Sequence, residues 1–408
     1  MDKIEELLTR GVDKIYPSKE ELEKVLRNGK KLKLYQGFDP TGTQLHIGHM
    51  VGLRKLRQWQ DLGHHVIFLI GDGTGQAGDP SGKTRARKKF LTREELRKNA
   101  VDYVKQAGKI VRFEGKNPVE ILHNGDWLNK LTLVDLLNIA NQFSLQQLLE
   151  RDLFQKRIKE EQDINFREFL YPLLQAYDSV AMKVDLEVGG SDQTFNMLCG
   201  RTLVKKMQKR DKFVMTTPLL TDSKGMKIGK TEGNVIALND PPNDVFGKIM
   251  ALGDNIIVKG LEYLTDTQFT EIDVSSNPMK YKKQLAFEVV KQLNNDQAAQ
   301  RAQEEFEQLI QQKRISPDIF DMQNIPIWTR PKPLVSGVTI TEPLLDVGTV
   351  SSKSELKRVV KQGGVTRIIK RGDDIIEEKI TNLDIPLTNE EAIIRVGTTK
   401  FVKIKSSD

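Results

Sequence analysis

Four short apolar runs punctuate this chain, Leu32 to Phe38, Val66 to Ile70, Leu186 to Gly189 and Phe213 to Thr217, and each reads as a buried strand. Between the first two, His46 to Gly63 carries apolar residues at helical spacing. Residues 32–72 therefore predict strand, turn, helix and strand, a parallel crossover unit. Helical patterns also fill Thr92 to Ala107 and Thr132 to Glu150. After Asn239-Asp-Pro-Pro242 the pattern changes to helices without strands among them, ending near Arg314. Residues 316–344, opening on a proline- and asparagine-rich stretch, read as a linker. Beyond them, residues 345–408 predict a small basic α+β unit in which Ser352 to Gln362 is a helix closed by a Gly-Gly turn.

Composition narrows the class. A chain of 408 residues exceeds one ordinary core, so two or three domains are expected. With 38% hydrophobic and 29% charged residues it has the balance of a soluble globular protein. No signal peptide, transit peptide or membrane span is expected, and one cysteine, Cys199, suits a reducing cytoplasm and a small core position. Five histidines and one cysteine are too few for a structural zinc site to be expected. The formal charge of +7 is concentrated in Lys83 to Lys89, Arg201 to Lys212 and Ser352 to Arg371, which points to a polyanionic partner.

Candidate chemistry begins where the first strand meets its helix, at Tyr35-Gln-Gly-Phe-Asp-Pro-Thr41-Gly-Thr-Gln-Leu-His46-Ile-Gly48-His49. A helix start offers unpaired N–H donors and the positive end of the dipole, and His46 and His49, three apart, share a face there. Gly48 leaves no side chain where a flat base would rest. Far downstream, Lys224-Gly-Met-Lys227-Ile-Gly229-Lys230-Thr231-Glu-Gly233-Asn reads as a basic loop. A third segment, Gly71 to Lys83, is a glycine-rich loop at the carboxyl end of a strand, where open α/β sheets bind ligands. In Phe169 to Asp178, Tyr171, Gln175 and Asp178 fall at i, i+4 and i+7 and share one helical face among leucines, so polar groups converge where burial is predicted.

Taken together, the histidine-glycine-histidine segment and the lysine loop resemble the paired signatures of the class I aminoacyl-tRNA synthetases, although Lys-Ile-Gly-Lys-Thr departs from the commonest spelling of the loop. Tyr-x-x-x-Gln-x-x-Asp followed by Gly-Gly-Ser-Asp-Gln, with Gly-Phe-Asp-Pro-Thr and Gly-Asp-Pro-Ser-Gly upstream, is similar to the bacterial tyrosine-specific branch of that family over about Lys33 to Asn234. The basic helix near the carboxyl terminus resembles the α-L RNA-binding motif. The resemblance implies an α/β fold: a Rossmann-like parallel-sheet catalytic domain with a dimer-forming insertion over residues 1–222 and the lysine loop over 223–239. An α-helical tRNA-binding domain over 240–315, the linker over 316–344 and an RNA-binding domain over 345–408 would follow.

Carried over position by position, the resemblance implies that Tyr35 and Asp178 bind the phenolic hydroxyl of L-tyrosine, that Asp79, Tyr171 and Gln175 hold its amino group, and that Gln193 neighbours its carboxyl. For ATP it implies Thr41 and His46 on the departing phosphates, with His49, Asp39, Gly48 and Asp192 around the nucleotide, Asp192 on the ribose. Lys227, Lys230 and Thr231 would close over the leaving group. Mg2+ is expected to travel with ATP. For tRNA(Tyr) it implies Lys353, Lys357, Arg358, Lys361 and Arg367 at distal parts and Lys83 and Arg87 near the acceptor end. A homodimer through Leu131 to Phe166, where Leu145, Leu148 and Leu149 recur, completes the expectation. Thr194 stands where many relatives carry an aromatic residue, and Gln36 and Gly52 occupy positions that vary near the ribose.

Two rival readings differ in class. Ala77 to Thr84 satisfies a relaxed P-loop pattern, but Asp79 would bring negative charge into a phosphate cradle and Pro80 removes an N–H that the cradle needs. A catalytically silent RNA-binding protein on the same scaffold is disfavoured because both histidines and both loop lysines are present. Within the enzyme class, Tyr35 with Asp178 matches a phenol better than the indole of tryptophan.

Overall fold

The structure, a computed structural model, describes residues 2–80, 90–150, 152–221, 228, 235–267, 274, 276–308, 320, 325–329, 339–350, 352–371, 374–383, 390–397 and 400–405. The chain divides into two compact units, Met1–Ala299 and Gln300–Asp408. The first is built on a six-stranded sheet of β1 (Lys14–Tyr16), β2 (Lys33–Phe38), β3 (His65–Ile70), β4 (Glu120–His123), β5 (Leu186–Gly190) and β6 (Phe213–Thr217), in the order β1-β6-β5-β2-β3-β4. Only β1 is antiparallel to its neighbour; the other pairs are parallel. The strongly apolar β3 is buried from its second residue on, as expected for a strand covered on both faces. From β2 the chain moves outward to β3 and β4, then returns to β5 on the other side of β2. The order thus reverses between β2 and β5, and a crevice opens beyond the carboxyl ends of those strands.

Helices form where the sequence caps them. Thr92 and Glu95 close a reciprocal box at the start of Arg93–Ala107, and Asn165 with Glu168 does so for Phe166–Met182, which ends where Lys183 turns left-handed at φ 53°. The continuous helix expected over Thr132 to Glu150 is instead two, Leu133–Ala140 and Leu145–Leu149. Ser144 accounts for the break, because its side chain accepts the Gln147 N–H while Gln147 reaches back to the Ser144 N–H. In this sheet two strands went unforeseen, β1 and β4, both short and polar at their ends; in the second unit the strand Ile327–Thr329 and the helix Thr341–Asp346 fall within residues 316–344, read from the sequence as a linker. After residue 240 the helices Pro242–Met250, Ile257–Leu264 and Pro278–Leu293 lie within the first unit. Arg54 of the helix Ile47–Asp61 reaches Asp266 and Gln292, and Arg10 donates to the carbonyls of Leu261, Glu262, Thr265 and Thr267, which joins this layer to the sheet's own helices.

In the second unit, β7 (Ile327–Thr329), β8 (Val365–Arg371), β9 (Asp374–Lys379), β10 (Ala392–Val396) and β11 (Lys400–Lys405) form a sheet ordered β7-β11-β10-β8-β9. Ser352 caps the helix Lys353–Lys361, whose Leu356 and Val360 pack into a core with Val365, Ile394, Val402 and Ile404. Gly363 follows at φ +69°, a conformation that glycine adopts without strain. Among the described residues, no helix is long and apolar enough to cross a membrane.

One buried ion pair ties the segment before Phe166–Met182 to that helix. Arg157, 1% exposed, donates to Glu168 at 2.7 Å. Removing one partner strands the other charge without water, so Arg157→Met is expected to lower the unfolding free energy by about 3–5 kcal/mol. In chemical denaturation the double variant Arg157→Met, Glu168→Leu should recover most of that loss.

Candidate active site

A cavity of about 450 Å³ occupies the crevice, lined by the ends of β2, β5 and β6, the start of the helix Ile47–Asp61 and the inward face of Phe166–Met182. That volume accommodates a small organic ligand. Thr41 stands exposed at its rim, whereas Tyr35, Asp178 and Glu187 are at most 2% exposed, so a gradient runs from open rim to buried polar end.

At the histidine end, His46 is the N-cap of its helix. Its Nδ1 accepts the Gly48 N–H at 3.1 Å, and His49 Nδ1 accepts the His46 N–H at 3.1 Å, the ring centroids being 3.9 Å apart. Each ring therefore uses Nδ1 as an acceptor, which fixes the neutral tautomer and leaves Nε2–H as its donor. A Cβ on Gly48 would meet His46 Cε1 at 2.9 Å and the Ile228 carbonyl at 3.3 Å, so no side chain fits between them. Ile228 belongs to the middle of the lysine-rich segment. The Ile228 N–H donates to the Leu220 carbonyl at 2.8 Å, and the Ile47 N–H to the Ile236 carbonyl at 2.9 Å. Sequence positions about 180 apart thus meet at the histidines.

The buried end is a chain of paired polar groups. Asp178 accepts from Trp127 Nε1 at 2.8 Å and from Asn124 Nδ2 at 3.0 Å. Asn124 also donates to Thr74 Oγ1 at 2.9 Å, and Thr74 in turn donates to Asp39 at 2.7 Å. Tyr171 donates to the other oxygen of Asp39 at 3.0 Å. Beside this chain, Gln193 donates to Asp79 at 2.9 Å, and Gln175 donates to Glu187 at 2.9 Å while its own carbonyl oxygen is buried without a partner among the described residues. Tyr35 lies 3.1 Å from Ser179 Oγ.

Burial dominates the electrostatics. It pushes Asp178 well above the usual carboxylate range, against the pull of Asn124 and Trp127 and with the further push of Glu187 and Asp39. Burial also raises the Tyr35 hydroxyl, helped by Glu187 and Asp178, and raises Tyr171, helped by Asp39 and Asp79. Both phenols are therefore neutral donors or acceptors at neutral pH. The carboxyl groups of Asp39, Asp79 and Asp178 make this end suited to a ligand that brings a positive charge and a hydroxyl.

The cavity gathers Tyr35, Asp39, Thr41, His46, Gly48, His49, Asp79, Tyr171, Gln175, Asp178, Asp192 and Gln193, every cavity residue that the sequence nominated within the described parts of the first unit. Lys83, Arg87, Lys227, Lys230 and Thr231 lie outside the described residues. In the second unit Lys353, Lys357, Arg358 and Lys361 are exposed along one helix. Arg367 differs. It sits in β8, 6% exposed, with Glu378 3.9 Å away, and does not extend that basic face. Cys199 is buried between helices Phe166–Met182 and Thr194–Gln208, a core position as expected. Asn124, Trp127, Ser179 and Glu187 went unforeseen, Glu187 being a charge inside an apolar strand and so the one visible signal; Lys212, read as the end of a basic cluster for a polyanionic partner, is instead fully buried.

The comparisons agree with this geometry. The sequence model of the family described as tRNA synthetases class I (W and Y) matches residues 27–311. The tyrosine–tRNA ligases of Carboxydothermus hydrogenoformans and Thermotoga maritima are each 39% identical to the chain, with 98% of this chain and 97% of the relative covered. Among solved structures, a carboxyl-terminally truncated mitochondrial tyrosyl-tRNA synthetase of Aspergillus nidulans superposes with a TM-score of 0.64 at 25% identity, covering 75% of this chain and 94% of that one. The tyrosyl-tRNA synthetase of Archaeoglobus fulgidus, solved with L-tyrosine, shares the fold at a TM-score of 0.58 and 22% identity, covering 74% of this chain and 100% of that one. A histidine-capped helix facing a buried polar pocket across a parallel sheet, matched over most of its length, places this chain in the class I tRNA synthetase family of the tryptophan and tyrosine enzymes.

Proposed function

We propose that the chain activates L-tyrosine with ATP to tyrosyl-adenylate and pyrophosphate, then transfers the tyrosyl group to the 3' end of tRNA(Tyr). The observation that carries this reading is Tyr35 with Asp178 at the buried end of the cavity, 1% exposed each. A phenolic hydroxyl bonded between them is satisfied on both sides. A phenyl ring in its place leaves both without that partner, a loss of roughly 1–3 kcal/mol for each buried group left unpaired. The names of the 39% identical relatives support the same substrate.

In this reading the buried Gln175 carbonyl, Tyr171 and Asp79 hold the tyrosine ammonium, and Gln193 faces its carboxylate. That carboxylate is already ionised and attacks the α-phosphorus without a general base, so positioning and charge stabilisation carry the catalysis. His46 and His49 offer Nε2–H donors to phosphate and nucleotide, with Thr41 beside them, Gly48 and Asp39 lining the nucleotide space and Asp192 on the ribose. Lys227, Lys230 and Thr231 complete the clamp on the departing phosphates. Mg2+ would arrive with ATP and would supply charge neutralisation on the departing phosphates, which asks for few protein carboxylates. Among the described residues no cluster of three metal-ligating side chains occurs.

Four exposed cations, Lys353, Lys357, Arg358 and Lys361, supply a basic helix for distal tRNA, and Lys83 and Arg87 the acceptor end. Homodimerisation is supported by Leu133, Val134, Leu137, Leu145 and Phe166, each at least 60% exposed in the segment assigned to the interface, whereas Leu148 belongs to the interior. A cytoplasmic location accompanies this work in protein synthesis.

Two measurements test the reading. With ATP, the purified protein should transfer radiolabelled tyrosine to bacterial tRNA; absence of charging contradicts it. His46→Ala should slow adenylate formation at least about tenfold while leaving the tyrosine dissociation constant within about twofold, the signature of an interaction made in the transition state. A weakened tyrosine site with an intact activation rate would reassign His46.

A further inference from the structure

Behind Tyr35 lies an ion pair to which the reaction assigns no part. Glu187, on β5, is 2% exposed, and Lys212, which leads into the neighbouring β6, is fully buried. The Lys212 ammonium donates to Glu187 and, at 2.7 Å, to Ser179 Oγ. Ser179 accepts from Lys212, and its oxygen lies 3.4 Å from Glu187 and 3.1 Å from Tyr35 Oη, where either hydroxyl can donate to the other. The Tyr35 hydroxyl is thereby held from behind, and its position at the cavity is fixed. The other oxygen of Glu187 accepts from Gln175 Nε2, which turns the unpartnered Gln175 carbonyl to its place at the cavity.

The space for the ammonium is built. A Cβ on Gly200 would lie 2.6 Å from Lys212 Nζ, 3.1 Å from Ser179 Oγ and 3.2 Å from Glu187 Oε2. Even alanine there would displace the pair. Such a pair is a poor device for stability, since desolvating two charges offsets their attraction, and a well-packed neutral pair is often as stable. What the charges do supply is a fixed position for the Tyr35 hydroxyl and a fixed hydrogen-bond direction at Gln175.

We propose that Lys212, acting through Glu187 and Ser179, is a positioning residue for amino-acid selection: it holds the Tyr35 hydroxyl in place for the ligand hydroxyl and sets Gln175 as the acceptor of the ligand ammonium. The inference rests on the reading of the cavity as a tyrosine site. It assigns selectivity to a shell that touches no substrate.

The test uses the full-length protein and tyrosine- or phenylalanine-dependent exchange of pyrophosphate into ATP. The double variant Glu187→Gln, Lys212→Met removes both buried charges together and keeps an acceptor for Gln175. It is expected to raise KM for tyrosine about tenfold, to leave KM for ATP within about twofold, and to lower the preference for tyrosine over phenylalanine about tenfold. Ser179→Ala keeps the ion pair and cuts its link to Tyr35; the same loss of preference is expected, and this variant decides alone if the double variant does not fold. Folded variants with an unchanged tyrosine KM and an unchanged preference overturn the inference. If the unaltered protein activates no tyrosine, the underlying reading fails first, and the two failures are distinguished.

Discussion

Asp178 is a carboxyl group held almost completely out of water, and polar oxygens so placed persist only if they are bonded. Trp127 and Asn124 meet that requirement from the segment after β4, and Asn124 spends its remaining capacity on Thr74 and on the Gly73 N–H. Thr74 then holds Asp39, which holds Tyr171. Asp178, Asp39 and Tyr171 are thus links in one chain of bonds that starts from a single desolvated acid. Movement at any link leaves a buried polar atom unpaired, and so the pocket is rigid before a ligand arrives.

The rim obeys another constraint. A helix start must bond its first N–H groups, and here two histidines do so with their Nδ1 atoms, which makes Nε2 the protonated nitrogen of both rings. The same turn is bracketed by backbone bonds to Ile236 and Leu238, so the first signature is anchored to the stretch that follows the second. The sheet order explains why these ends face each other: β2 and β5 part at the switch point, and the histidine end and the buried polar end of the cavity lie across it.

Much of this was legible in the chain. Strands β2, β3, β5 and β6 declared themselves by apolar runs buried on both faces, and the helix Phe166–Met182 by one polar stripe among leucines. β1 and β4 were silent because short edge strands need little apolar pattern. The break at Ser144 was missed because its cap competes with a continuous helical periodicity on either side. Asn124, Ser179 and Lys212 carry no periodic signal at all; each acquires meaning only once the sheet sets it against Asp178, Tyr35 or Glu187. Arg367 shows the reverse error, a basic residue in a basic run that the strand turns inward.

The central claim is that the buried end of the cavity selects its ligand by a phenolic hydroxyl. Exchange of labelled pyrophosphate into ATP, run separately with tyrosine, tryptophan and phenylalanine, tests it most directly. Tyrosine should support exchange, with phenylalanine lower in kcat/KM by roughly a hundredfold or more and tryptophan inactive. Exchange with phenylalanine or tryptophan at a rate comparable to that with tyrosine would contradict it.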